Sequence, residues 1–229
     1  MTAAPVAEAA AAAAVSPAVD VAPAADADEL GIDDAAARDA VRRDKVRAMY
    51  AYNAVSLAGH AIGATVIELL YVGVAPSALC AGWGGAFASL WLVRVAQALL
   101  IYRRRVEPLD ALLAQARRWQ IGALASAVLW GTAAWAFYGF GGAMHQITLI
   151  VVVYTFCVAC IPILAPHFSL YLAFVALAFG PAVARVAVSG ETRAQEVAIV
   201  LTIALAMTIT LARNYRHSFE RVAELRRRS

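Results

Sequence analysis

The chain alternates between long apolar runs and short polar breaks. One run sets the scale. Arg117 and Arg118 stop abruptly, and from Trp119 about twenty residues pass without a charge until Tyr138 and Phe140 close the stretch. A helix rising ~1.5 Å per residue needs about that length to cross a hydrocarbon core of ~30 Å. Arginine and tryptophan at one end and aromatic residues at the other suit the two interfaces. The design recurs along the sequence. It predicts spans at about 53–74, 78–102, 119–140, 145–164, 168–188 and 196–212. Ala75-Pro76-Ser77, Gly141-Gly142 and the polar segment 189–193 turn the chain between partners. The predicted fold class is all-α integral membrane: six transmembrane helices as three hairpins, forming a membrane domain over 53–212.

Beyond the last span the apolar period changes. Leu211, Tyr215, Ser218, Val222 and Leu225 follow a 4-3-4-3 spacing, the a/d seam of a coiled coil. Residues 213–229 are expected to begin a cytoplasmic signalling coiled coil, continuous with the sixth span. Two heptads are short, and a solvated basic tail is the plainer alternative. Before the first span, Asp33-Asp34 is placed to cap a helix over 33–52 that carries Arg42, Arg43, Lys45 and Arg47. Such a basic juxtamembrane helix suits anionic lipid, at ~1 kcal/mol per base near the surface. Residues 1–32 are Ala- and Asp-rich and of low complexity. They lack a basic start and a sustained apolar core, so they read as a disordered cytoplasmic tail and not as a secretory signal.

Composition sharpens this picture. The sequence is 62% hydrophobic and 15% charged, with a mean hydropathy of +0.69. A soluble domain is nearer half apolar and needs a polar surface that these residues cannot supply. The net charge of +3 hides two opposite parts. Eight of the 16 acidic residues lie in the first forty positions, against Arg38 alone, which leaves eighteen bases and eight acids in 41–229. The basic clusters Arg42–Arg47, Arg103–Arg105 with Arg117-Arg118, and Arg213–Arg228 must share one side, and six crossings allow that. By the positive-inside rule both termini are cytoplasmic and the protein is multi-pass in a bacterial inner membrane. The basic excess speaks for membrane orientation and lipid, with no nucleic-acid partner expected. Three cysteines in apolar runs make no disulfide framework.

Ionisable groups inside a span are costly and are the first candidates for function. His60 and Arg94 fall at similar depth, about a third of the way in, and Glu68 lies ~10 Å nearer the outer surface at ~1.5 Å per residue. They make a candidate intramembrane polar site between the first two spans. The plainer reading has Arg94 and Glu68 snorkelling to opposite interfaces and His60 bonded to a neighbouring helix. Gly85 and Ser89 (with Ala81) and Gly122 and Ser126 form small-residue stripes for helix packing, as does Gly131. Gly180-Pro181 predicts a kink. Cys157 and Cys160 make a C-x-x-C, with Cys80 elsewhere, yet no histidine completes a metal set and packing is the expected role. His145 and His167 fall at opposite faces, and Arg185 near the outer interface faces Glu191 or Glu196. No phosphate-binding glycine loop, nucleophile elbow or His-Glu-x-x-His is present. No catalytic residue, metal or cofactor is expected within these residues.

Several of these features combine in a known order. Arg117-Arg118-Trp119, Gly122-Ala123 and Leu129-Trp130-Gly131 come first. Pro181 with Arg185 follows, and then the exit Ala212-Arg213-Asn214-Tyr215-Arg216 with Ser218-Phe219-Glu220. Residues 40–229 thus resemble the N-terminal six-helix membrane sensor region of bacterial sensor histidine kinases and GGDEF-type diguanylate cyclases. The resemblance implies a sensory and anchoring module of a signal-transduction receptor, with a two-component histidine kinase as the first expectation and a cyclase as the next. It implies a homodimer through the last span and its extension, and a cytoplasmic output domain or partner protein beyond the linker in which this sequence stops. Short outer loops favour a lipid-like or membrane-state stimulus. A small multi-span transporter or transporter subunit is the alternative, with Gly180-Pro181 and the buried charges marking its path. Against it stands the lack of an inverted repeat. A lipid-active membrane enzyme comes third, for want of a convergent acid, base or metal set.

Overall fold

The computed structural model describes residues 53–103 and 109–228, so the expected tail, the juxtamembrane helix and Arg104-Arg105 lie outside the described residues. Regular structure among those residues is entirely helical. The long helices are α1 (Asn53–Tyr71), α2 (Ser77–Arg103), α3 (Leu109–Phe137), α4 (Ala143–Ala159), α5 (Phe168–Ala187) and α6 (Ala194–Arg228). A single turn, Ile161–Leu164, and a 3-10 turn, Ala165–His167, connect α4 to α5.

Five stretches are long and apolar enough to cross a membrane: Asn53–Tyr71, Ser77–Leu100, Leu113–Phe137, Ala143–Ala187 and Ala194–Ser218. The fourth is 45 residues, about twice what one crossing takes, and contains both α4 and α5. Their pairing is antiparallel. The Tyr171 hydroxyl donates to the Cys157 carbonyl at 3.2 Å, and further from the connector the rings of Tyr154 and Phe179 lie 5.5 Å apart. Proline is at both connector turns, Pro162 and Pro166, where a missing N–H and a fixed φ interrupt helical hydrogen bonding. Pro181, the expected kink, sits inside α5, which runs on through it without interruption.

Burial is distributed as a membrane solvent would have it. Large apolar side chains lie bare on the outside, Val55 and Leu69 at 72% exposure and Met207 at 68%, while the interior holds aromatics and alanines. Lipid tails are as apolar as leucine, so close packing and interhelical hydrogen bonds hold such helices together. The most extensive pairing is α3 with α5. There Gly131 faces the Leu177 carbonyl, and a Cβ in its place would collide with that oxygen and stand 2.9 Å from Pro181 Cγ. Proline explains the meeting. Pro181 has no N–H to give the carbonyl four residues back, so Leu177 keeps an unused acceptor, and the bare Cα of Gly131 approaches it.

Indole and phenol groups tie the remaining helices. Trp83 Nε1 donates to the Leu129 carbonyl at 2.8 Å and Trp91 Nε1 to the Leu57 carbonyl at 2.8 Å, which links α2 to α3 and to α1. The Tyr71 hydroxyl donates to the His145 carbonyl at 3.3 Å, across α1 and α4. Tyr154 and Thr208 share a hydroxyl–hydroxyl bond of 2.7 Å between α4 and α6. An aromatic cluster fills the centre: Trp130 stacks on Phe156 at 4.2 Å, edge-on to Phe87 at 5.1 Å and to Trp83 at 6.1 Å.

Candidate functional site

Two buried ionisable side chains meet between α1, α2 and α3. His60 is 3% and Arg94 5% exposed, and both line one narrow cleft with Phe87, Trp91 and Ser126. His60 is enclosed by rings, with Phe156, Trp130 and Phe87 centred 5.1, 6.1 and 6.3 Å away. Its Nδ1 lies 2.7 Å from the Ser56 carbonyl, which only accepts, so Nδ1 carries the proton. In the neutral ring Nε2 then holds a lone pair, and it has no hydrogen-bond partner. The histidine thus bonds its own helix and not a neighbouring one.

Arg94 does not snorkel. Its guanidinium turns inward and donates to Ser126 Oγ at 3.0 Å, which in turn donates to the Gly122 carbonyl at 2.9 Å. A Cβ at Gly122 would stand 3.4 Å from Arg94 Cγ, so the Gly122–Ser126 stripe is the bed of this side chain. The Trp119 ring covers one face, its centroid 5.9 Å from the guanidinium carbon. Trp119 Nε1 also donates to Asn53 Oδ1 at 3.1 Å and so joins the start of α1 to α3. Among the described residues no acidic side chain pairs with Arg94.

Beside Arg94 a cavity of about 120 Å³ opens between the start of α1, the end of α2 and the start of α3. Its polar lining is Asn53, Gln97, Gln115, Arg118 and Arg94, with Trp119, Ala98 and Leu100 as the apolar wall. In the sequence only Arg94 stands out as a site residue, with Arg118 and Trp119 placed at the membrane interface, and the cavity they share goes unread. Its signal was helical spacing: Arg94 and Gln97 lie three apart, and Gln115, Arg118 and Trp119 lie at i, i+3 and i+4.

Glu68 lies apart from this pair. It is two turns beyond His60, and its Oε1 rests in the notch left by Gly84, where a Cβ would collide with it. That oxygen is buried without a hydrogen-bond partner. It lines a separate groove of about 290 Å³ between α1 and α2 with Ala61, Thr65, Leu69 and Trp91. The structure therefore brings His60 and Arg94 together and leaves Glu68 outside.

The other singled-out residues divide in the same way. Gly131 and Pro181 form one contact, as described, whereas a Cβ on Gly180 meets nothing within 4 Å. Gly85 and Ser89 are exposed, a Cβ on Gly85 likewise meets nothing, and among the described residues no helix packs on that stripe. Cys157 and Cys160 are buried free thiols; Cys160 ends α4, and Cys80 lies at the far end of the bundle, its thiol 3.8 Å from the Tyr71 carbonyl. Among the described residues no three His, Cys, Asp or Glu side chains group as metal ligands. Arg185 stacks over Trp135 and Tyr138, each at 5.9 Å, while Glu191 accepts from Gln146 Nε2 at 2.8 Å. Of the coiled-coil seam, Leu211 is 54% and Tyr215 39% exposed, and the side chains of Val222 and Leu225 lie outside the described residues. No family model, curated protein or solved structure matches the chain.

Proposed function

We propose that this chain is the membrane sensory and anchoring module of a bacterial signal-transduction receptor, with a histidine-kinase output first and a diguanylate-cyclase output next. In this reading the 45-residue stretch crosses twice, which gives six spans with both termini in the cytoplasm of an inner-membrane protein. The module is a homodimer along α6, whose C-terminal part is the start of a signalling coiled coil.

One observation carries the reading. α6 runs unbroken for 35 residues from Ala194 to Arg228, ~50 Å at 1.5 Å per residue and well beyond one crossing. Its outer face is apolar and uncovered in the monomer: Val200, Ile203, Met207, Leu211 and Tyr215 are all exposed, while Ala212 is buried against the chain. A rigid helix of that length passes a rotation or tilt from the bilayer to whatever follows it.

The test uses the chain fused ahead of a histidine-kinase output domain. Deleting or inserting single residues after Ala212 turns everything downstream by ~100° per residue, from 3.6 residues per turn. Kinase activity is expected to swing with each step and to return after about seven residues. Output flat across the series would overturn the rigid-helix reading. Single cysteines add a second test: Leu211→Cys and Tyr215→Cys cross-link between protomers in native membranes, and Ala212→Cys does not. Equal cross-linking at all three, or none, removes the α6 dimer.

A further inference from the structure

We propose that the cavity between α1, α2 and α3 binds a phosphate-bearing anion, with Arg94 at its floor and Arg118 at its rim. The site stands whether or not the chain is a sensor.

Charge is the first argument. Arg94 is 5% exposed, and an interior cation is costly unless something answers it. Ser126 takes one of its five N–H donors and the Trp119 ring lies over the group, yet neither carries a negative charge. No acid among the described residues supplies one. Among the described residues this charge is left for a bound anion to answer.

Donor chemistry is the second. Two guanidinium groups reach the same cavity, and the amides of Asn53, Gln97 and Gln115 complete its polar side. The planar fork of arginine matches the oxygens of phosphate in bidentate fashion, which a lysine ammonium does not. Size is the third. About 120 Å³ is small beside the ~300–1,000 Å³ of pockets that hold a drug-sized ligand. It suits one anionic group and not a whole metabolite. The apolar part of the lining includes Ala98 and Leu100, the latter 61% exposed on α2. A phosphodiester headgroup fits the donors while its acyl chains follow that apolar part. Free phosphate answers the donors alone.

The experiment uses the full chain purified in a maltoside detergent. Binding of dioleoyl phosphatidylglycerol, dioleoyl phosphatidylcholine and inorganic phosphate is titrated on the native protein and on Arg94→Gln, Arg118→Gln and Arg117→Gln. Phosphatidylglycerol is expected to bind saturably and at least tenfold more tightly than phosphatidylcholine. Arg94→Gln and Arg118→Gln each weaken it at least tenfold. Arg117→Gln, the exposed neighbour that does not line the cavity, weakens it less than twofold. Should Arg94→Gln fail to fold, the contrast between Arg118→Gln and Arg117→Gln decides. Phosphatidylglycerol that millimolar phosphate does not displace makes the lipid the ligand; phosphate that binds while the lipid does not makes it the soluble anion. Equal binding of both lipids with no binding of phosphate overturns the site. So does an Arg117→Gln effect as large as that of Arg118→Gln, because the attraction would then be diffuse surface charge.

Discussion

At the scale of single residues, two glycines that look alike in sequence have opposite surroundings. Gly131→Ala places a Cβ against the Leu177 carbonyl, and backbone cannot yield as a side-chain tip can. The expected loss is about 1–3 kcal/mol, the usual cost of overpacking, read as a lower unfolding midpoint in detergent. Gly85→Ala meets open space, so it should be neutral or stabilise the helix by up to about 1 kcal/mol. Equal losses at both positions would contradict the packing described. Arg193 gives a third prediction. It holds φ at +68° just before α6, a left-handed conformation that costs a side-chain-bearing residue ~1–2 kcal/mol. Arg193→Gly should therefore raise the unfolding midpoint in the same assay. None of this is legible in the sequence. A glycine facing lipid and a glycine facing a carbonyl are the same letter, and the pairing of Gly131 with Pro181 spans fifty residues.

Among elements, the hydrogen bonds between helices are the separable contributions. Tyr154→Phe keeps the ring against Phe179 and removes the hydroxyl's bond to Thr208 together with its longer one to the Ala204 carbonyl at 3.5 Å. Polar contacts of this kind in membrane proteins average ~0.6 kcal/mol and reach ~1.7 kcal/mol. The coupling energy from a cycle with Thr208→Val should fall in that range, and a value near zero would mean that α6 docks on α4 by shape alone. The position of the helices was legible, because length, charge and interface aromatics are local properties of the chain. Their ends were less so. α3 starts ten residues before its apolar run because Leu109–Arg118 is built from good helix formers, which continue a helix into the interface. The His60–Arg94 pair was half legible: equal depth on adjacent spans brought the two together on paper. The role of Ser126, Asn53 and Trp119 around Arg94 needed the third helix, and nothing in local pattern states how α3 is rotated. Glu68 was grouped with them because depth alone says nothing of facing, and the Gly84 notch draws it to another side.

For the whole molecule, the connector between α4 and α5 decides more than its eight residues suggest. Pro162 and Pro166 break an apolar stretch that is otherwise long enough to continue as one helix. Replacing both by alanine restores two backbone donors and removes two fixed φ angles. The expected outcome is a partly fused α4–α5, seen as mixed signals from a fluorescent reporter and an alkaline phosphatase reporter placed after Arg228. A uniform cytoplasmic signal in the double variant would mean that packing, not proline, turns the chain. The sidedness of a multi-pass protein depends on parity: each crossing inverts the address of everything downstream, so one lost turn does not shift the final helix but delivers its arginine-rich end into the wrong compartment. In the six-span reading proposed above, two prolines in the middle of the apolar sequence thereby set the side on which the arginine-rich end of α6 emerges.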